Sequence, residues 1–152
     1  MHIVFDMDNT LADEFGAAAR PGIVELLEKL SKEGHQLSLW TSSTRSRARQ
    51  ILADLDLQHF FATCVFREDY DPQDKGNPKD IRKIKGDFLV DDDPKQINYV
   101  KSIGKDGFLI KAYRKGGSVA PQDLEKLYKA IDKSGGFFSR LKKKITCQGS
   151  VH

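Results

Sequence analysis

Short apolar runs alternate with helical spacings along this chain. Ile3-Val4-Phe5 reads as a brief buried strand. Pro21 stands where a helix can start, and Ile23, Leu26, Leu27 and Leu30 follow at helical spacing until Gly34 closes the segment. Gln36–Trp40 gives a second strand, and residues 43–56 a helix with Ala48, Ile51, Leu52 and Leu55 on one face. Thr63–Phe66 is a third strand, and a polar loop from Glu68 to Lys79 leads to a fourth at Asp87–Val90. A short helix from Pro94 to Ile103 precedes a fifth strand at Gly107–Ile110, and a last helix opens at Ala120-Pro121 and carries Leu124, Leu127, Tyr128 and Ile131.

Strands that alternate with helices predict an α/β fold, a doubly wound and mainly parallel five-stranded sheet with helices on both faces. From Ser134 the pattern dissolves into Gly135-Gly136 and then Phe137-Phe138-Ser139-Arg140-Leu141-Lys142-Lys143-Lys144. The expected division is one domain over residues 1–133 and a basic, flexible tail over 134–152, with a solvated end preferred to a nucleic-acid or acidic-surface contact.

Composition changes this picture little. A chain of 152 residues with 39% hydrophobic and 31% charged residues closes one substantial core. The net charge of +3 does not by itself indicate a nucleic-acid binder. No apolar stretch approaches the roughly 20 residues that span a bilayer, and the first residues have neither the basic nor the apolar segment of a signal peptide. A reducing cytoplasm is therefore the expected location. Cys64 and Cys147 lie far apart and form no CxxC pair, and the His residues show no metal-ligand spacing.

Chemistry concentrates where the strands end, which is where such sheets place their reactive groups. Strand one runs into Asp6-Met7-Asp8-Asn9-Thr10, strand two into Thr41-Ser42-Ser43, and strand four into Asp91-Asp92-Asp93-Pro94. Carboxylates from two strands on one rim raise one another's pKa values unless a cation neutralises them. Hard oxygen ligands in an open site suit Mg²⁺, which keeps waters that a phosphate oxygen can replace. Thr41 and a lysine, Lys79 or Lys75, could hold other phosphate oxygens, while one carboxylate attacks phosphorus. Asp93, directly before Pro94, fits a helix cap better than a ligand. The segment Glu68–Gly76 imitates a calcium loop only superficially, because Asp74 stands at the position that requires Gly. Arg45, Arg47 and Arg49 read as a solvated helix face, with Arg45 the one placed to meet a substrate phosphate.

The segment Asp6-Met7-Asp8-Asn9-Thr10 after an apolar strand resembles the DxDxT motif of the haloacid dehalogenase-like superfamily. Thr41 resembles its second motif and Asp91-Asp92 its acidic fourth motif, while Lys79-Asp80-Ile81 and Val90-Asp91-Asp92-Asp93-Pro94 are similar to the NLI-interacting-factor-like branch that contains the carboxy-terminal-domain phosphatases. Together these motifs cover roughly residues 2–112. The resemblance implies a Rossmann-like sheet in the order 3-2-1-4-5 and a Mg²⁺-dependent phosphatase. Asp6 would then be nucleophile and metal ligand. Asp8 would be general acid and base, with a metal contact through its backbone carbonyl. Thr10 would brace the turn, and Thr41, Ser42 and Lys79 would hold the phosphoryl group. Asp91 and Asp92 would complete the metal site, Asp92 as the direct ligand. An Asp at position 8 favours hydrolysis over the Thr found in pump ATPases of the superfamily.

Many members carry a cap domain, and neither usual insertion point has room for one here. Only a turn, one helix and one strand fit between Thr10 and Thr41, and only a helix, a short strand and a loop between Thr41 and Lys79. An open site suits a phosphate on a protein or a nucleic-acid end. The alternatives are a small phosphate ester under an oligomeric lid, or a receiver-like phospho-acceptor module. Receivers carry the phosphorylated Asp on a middle strand, and here the motif follows the first.

Overall fold

β1 (His2–Phe5) is buried along its whole length, as the central strand of a parallel sheet must be. The computed structural model describes the backbone of residues 1–149 and the side chains of residues 1–135. Five strands pair in the order β3-β2-β1-β4-β5, and every pairing is parallel. β2 spans Gln36–Trp40, β3 Thr63–Val65, β4 Phe88–Asp91 and β5 Asp106–Leu109. Ile3 lies opposite Leu37 on one side and Phe88 on the other, and Phe5 lies opposite Leu39 and Val90. That register brings the ends of β1, β2 and β4 level, with Asp6, Thr41 and Asp91 on a common rim.

The alternation of side chains along the strands builds two cores. On one face Ile3, Phe5, Leu37, Leu39, Phe88 and Val90 meet α1 (Ile23–Lys32), α2 (Arg45–Asp54) and the last helix. On the other, Val4, Trp40 and Leu89 meet Ile97 and Val100 of a helix at Pro94–Ser102. Burying each large apolar side chain contributes about 1.5–3 kcal/mol. With α3 at Arg67–Tyr70, the Pro94–Ser102 helix is α4 and the last, Pro121–Gly149, is α5.

Three details depart from the sequence expectations. α1 begins at Ile23 rather than Pro21, because Gly22 before it takes a left-handed conformation at φ 83°. The polar loop contains α3, a single turn whose Asp69 carboxylate accepts from the Phe66 N–H at 2.9 Å. α5 continues past residue 134 to Gly149, whereas Arg140, Lys142, Lys143, Lys144 and Cys147 have side chains outside the described residues. Asp93 caps α4 as expected, accepting from the Lys95 N–H at 2.9 Å with Pro94 in the first turn.

The loop before β4 is organised by a buried carboxylate. Asp71 accepts from the N–H groups of Lys75 and Gly76, both at 2.9 Å, and of Asn77 at 3.3 Å. The chain then turns inward, and the Lys79 N–H donates to Gln96 Oε1 on α4 at 2.9 Å. Between Thr10 and β2 the chain forms one helix, and between β2 and β4 only α2, β3, α3 and two 3₁₀ turns. No cap domain stands over the rim among the described residues.

Candidate active site

The turn after β1 is tied down from three directions. The Asp6 N–H donates to the Val90 carbonyl at 2.9 Å, which locks the turn to β4. The N–H groups of Thr10, Leu11 and Ala12 all converge on the Met7 carbonyl, and Asn9 occupies the left-handed region at φ 65°. Arg20, only 2% exposed, donates to the carbonyls of Thr10 at 2.7 Å, Asn9 at 2.9 Å and Lys111 at 2.6 Å.

Asp6 is thereby held with both oxygens engaged. Oδ1 accepts from Lys79 Nζ at 2.8 Å and Oδ2 from the Thr10 hydroxyl at 3.0 Å. Thr10 therefore touches the candidate nucleophile directly, in addition to sitting in the turn. Lys79 Nζ also donates to Asp91 Oδ2 at 2.8 Å, and Asp91 Oδ1 accepts from the Asp93 N–H at 3.0 Å. Lys79 is buried at this centre, while Lys75 stands on the exposed loop. Carboxylate oxygens of Asp6, Asp91 and Asp92 come within 4.8 Å of one another.

Electrostatics follow from this crowding. Burial pushes the Asp6 carboxyl up to about 6, against the pull of Lys79. Burial and the Asp6 charge likewise push Asp91 up to about 6. Burial also raises Asp92. Burial alone would lower Lys79, but Asp6 and Asp91 outweigh it and hold its ammonium charged, above the ordinary lysine range. One cation thus faces three carboxylates, and this deficit of positive charge is what a divalent metal would fill.

A cleft of about 410 Å³ opens over these groups, with Asp6, Asp8, Ser42, Lys79, Asp92 and Gln96 among its walls. Thr41 is 1% exposed and its Oγ1 accepts from the Ser43 N–H at 3.0 Å, so Ser42 is the nearer lining residue of the pair. Asp8 points to α2, where the Arg47 guanidinium donates to both of its oxygens at 3.0 Å. Arg47 is therefore no solvated face residue. Its neighbour Arg45 pairs with Asp69 of α3. Position alone gave no sign of Arg47 or Arg20: one falls in a run of evenly spaced arginines, the other in an Ala-rich turn.

Comparison with known proteins agrees with this geometry. The family model for NLI interacting factor-like phosphatases matches residues 1–139. No curated protein matches. Among solved structures, a putative β-phosphoglucomutase from Thermotoga maritima is similar with a TM-score of 0.61 and 16% identity, over 88% of this chain and 91% of that one. A hydrolase from Streptococcus pneumoniae is similar with a TM-score of 0.63 and 14% identity, over 84% of this chain and 97% of that one. A chain in the structure of the Pnkp1/Rnl/Hen1 RNA repair complex is similar with a TM-score of 0.56 and 15% identity, over 72% of this chain and 42% of that one. At such identities the structures speak for the fold, and the family model carries the assignment. With a phosphatase family matched over most of its length, the chain belongs to the NLI interacting factor-like phosphatases of the haloacid dehalogenase-like superfamily, and is an enzyme rather than a receiver-like binding module.

Proposed function

We propose that the protein hydrolyses phosphomonoesters through an aspartyl-phosphate on Asp6, with Mg²⁺ bound beside it. The observation that carries this is the fixed Asp6 carboxylate, held between Lys79 and Thr10 on the floor of the cleft. An Asp6 oxygen attacks phosphorus as the bond to the leaving oxygen breaks, and Asp8 donates a proton to that oxygen. Asp8 then takes a proton from a water that attacks the aspartyl-phosphate, releasing inorganic phosphate and restoring Asp6. Lys79 offsets negative charge on the phosphoryl oxygens, and Thr41 and Ser42 offer hydroxyl donors to them.

The converging oxygens of Asp6, Asp91 and Asp92 fit a hard divalent cation. Asp6, Asp92 and the backbone carbonyl of Asp8 would hold it. Asp91 serves Lys79 and the Asp93 N–H, and so would support the site from behind. Bound Mg²⁺ supplies positive charge toward the phosphoryl oxygens.

The cleft stands open, which favours a phosphate presented on a macromolecule, a phosphoprotein or a nucleic-acid end. Likeness to a chain of an RNA repair complex makes nucleic-acid ends a natural part of any substrate screen. A small ester under a lid from a second copy is the alternative. No helix among the described residues is long and apolar enough to cross a membrane.

The test is hydrolysis of para-nitrophenyl phosphate with Mg²⁺ or with chelator, by the wild type and by Asp6→Asn. Turnover should need both the cation and Asp6. Equal turnover by the variant would sink the nucleophile assignment, and full turnover in chelator the metal.

A further inference from the structure

We propose that Arg47 and Arg67 form a second anion subsite, which takes a phosphate group neighbouring the scissile one and in doing so draws Arg47 away from Asp8. The proposal rests on the roles given above to Asp6 and Asp8. A recess of about 480 Å³ adjoins the catalytic cleft, shares Asp8, Asn9 and Ser42 with it, and is lined also by Arg47 and Arg67.

Arg47 lines this recess beside Asp8. Its guanidinium forks onto both oxygens of Asp8 at 3.0 Å, a planar geometry that suits a phosphate equally well. Its other acceptors are neutral, the Ser43 hydroxyl at 3.0 Å and the Glu14 carbonyl at 3.2 Å. Glu14 also lines the recess, and its carboxylate is engaged, accepting from the Lys115 N–H at 2.9 Å. Arg67 is fixed by its Nε, which donates to the Ser42 carbonyl at 2.7 Å, and Asp74 lies 3.8 Å from that nitrogen. Among the described residues its terminal nitrogens have no hydrogen-bond acceptor.

The pairing of Arg47 with Asp8 sets a problem for catalysis. To protonate the leaving oxygen, Asp8 must turn from α2 toward Asp6, and Arg47 then loses its anion. The Arg47 side chain is 40% exposed and Asp8 28%, so both can exchange partners. A second substrate phosphate in the recess would replace Asp8 on the guanidinium fork and release the carboxylate. A monoester without a second anion leaves Arg47 competing for the acid. The subsite therefore selects molecules with two phosphates on adjacent positions, as in a bisphosphate, a phosphorylated oligonucleotide end or a doubly phosphorylated peptide.

The experiment compares the full chain with Mg²⁺ on matched substrates: a nucleoside 3′,5′-bisphosphate against each monophosphate, a terminally phosphorylated dinucleotide against the mononucleotide, and a peptide with two adjacent phosphoserines against one. Charge-assisted contacts of this kind give the wild type an expected preference of roughly tenfold or more for the second phosphate in at least one pair. The favoured pair identifies its source. The preference should appear in kcat as well as in KM, because Asp8 is released. Arg47→Gln and Arg67→Gln, each checked for folding by circular dichroism, should bring the ratio near one. Parity in the wild type, or a preference that survives both substitutions, overturns the subsite. A preference confined to KM overturns the release of Asp8. Failure to release phosphate from any substrate would overturn the phosphatase reading together with the subsite, which separates it from parity.

Discussion

The Lys79 ammonium lies 2.8 Å from the Asp6 carboxylate with both side chains buried, so the candidate nucleophile and its counter-ion form one unit inside the domain. Lys79 also bridges to Asp91 at 2.8 Å, and its removal leaves two buried carboxyls without their cation. Breaking a buried pair from one side typically costs about 3–5 kcal/mol. Lys79→Met should lower stability in chelator at pH 7 by about 3 kcal/mol, read by urea unfolding, and should abolish turnover. A loss below about 0.5 kcal/mol, within the range of ordinary surface substitutions, would show that the pair is replaceable.

Asp8 and Asp92 should separate catalysis from metal binding. If Asp8 meets the cation only through its backbone, Asp8→Asn should slow turnover by roughly 10²–10⁴-fold and leave Mg²⁺ affinity nearly intact. Asp92→Asn removes a charged oxygen ligand and should weaken Mg²⁺ by about tenfold or more. Calorimetric titration of both variants measures this. Comparable losses of affinity would place the Asp8 carboxylate itself on the metal.

Arg20 makes a third prediction. Its buried guanidinium donates to the carbonyls of Thr10, Asn9 and Lys111, joining the β1 turn to the segment after β5. Arg20→Met keeps most of the side-chain volume and leaves those carbonyls without their donor. Stability should fall by about 2–4 kcal/mol, and kcat should fall with it because the turn carries Asp6 and Asp8. Thermal unfolding and turnover, measured together, would expose a variant that loses neither.

Much of this architecture is written in local pattern. Ile3–Phe5 and Phe88–Val90 are apolar runs and Gln36–Trp40 alternates polar with apolar residues, all too short for helices and each followed by polar residues, so the rim of Asp6, Thr41 and Asp91 follows from strand order. What pattern does not carry is contact between distant side chains. Lys79 and Lys75 are alike in sequence, and the turn built on Asp71 together with the Gln96 bond sends one inward and leaves the other exposed. Arg47 is no different from Arg45 and Arg49 in pattern until α2 is docked with that residue facing Asp8. α3 escapes periodicity because four residues make only one turn.

The acidic centre should make the benefit of magnesium depend on pH. Without metal, Asp6 and Asp91 are raised from 3.8 to about 6 in the folded protein, by burial first. The unfolded chain releases these protons near pH 4, and the folded protein holds them until about pH 6. Their stabilising contribution is therefore present below pH 4 and is lost as pH rises through 6. A raised carboxyl of this size corresponds to about 3 kcal/mol, and the two are not additive because both lean on Lys79. Bound Mg²⁺ opposes the loss, since it favours the ionised form of its ligands. At a fixed millimolar Mg²⁺ concentration, the rise in Tm over the chelated protein should be small at pH 5 and should grow steadily to pH 7.5. Asp92→Asn should flatten that dependence. A Mg²⁺-induced rise that is constant from pH 5 to 7.5 would mean that protons and metal do not compete at these carboxylates, and that the cation binds elsewhere.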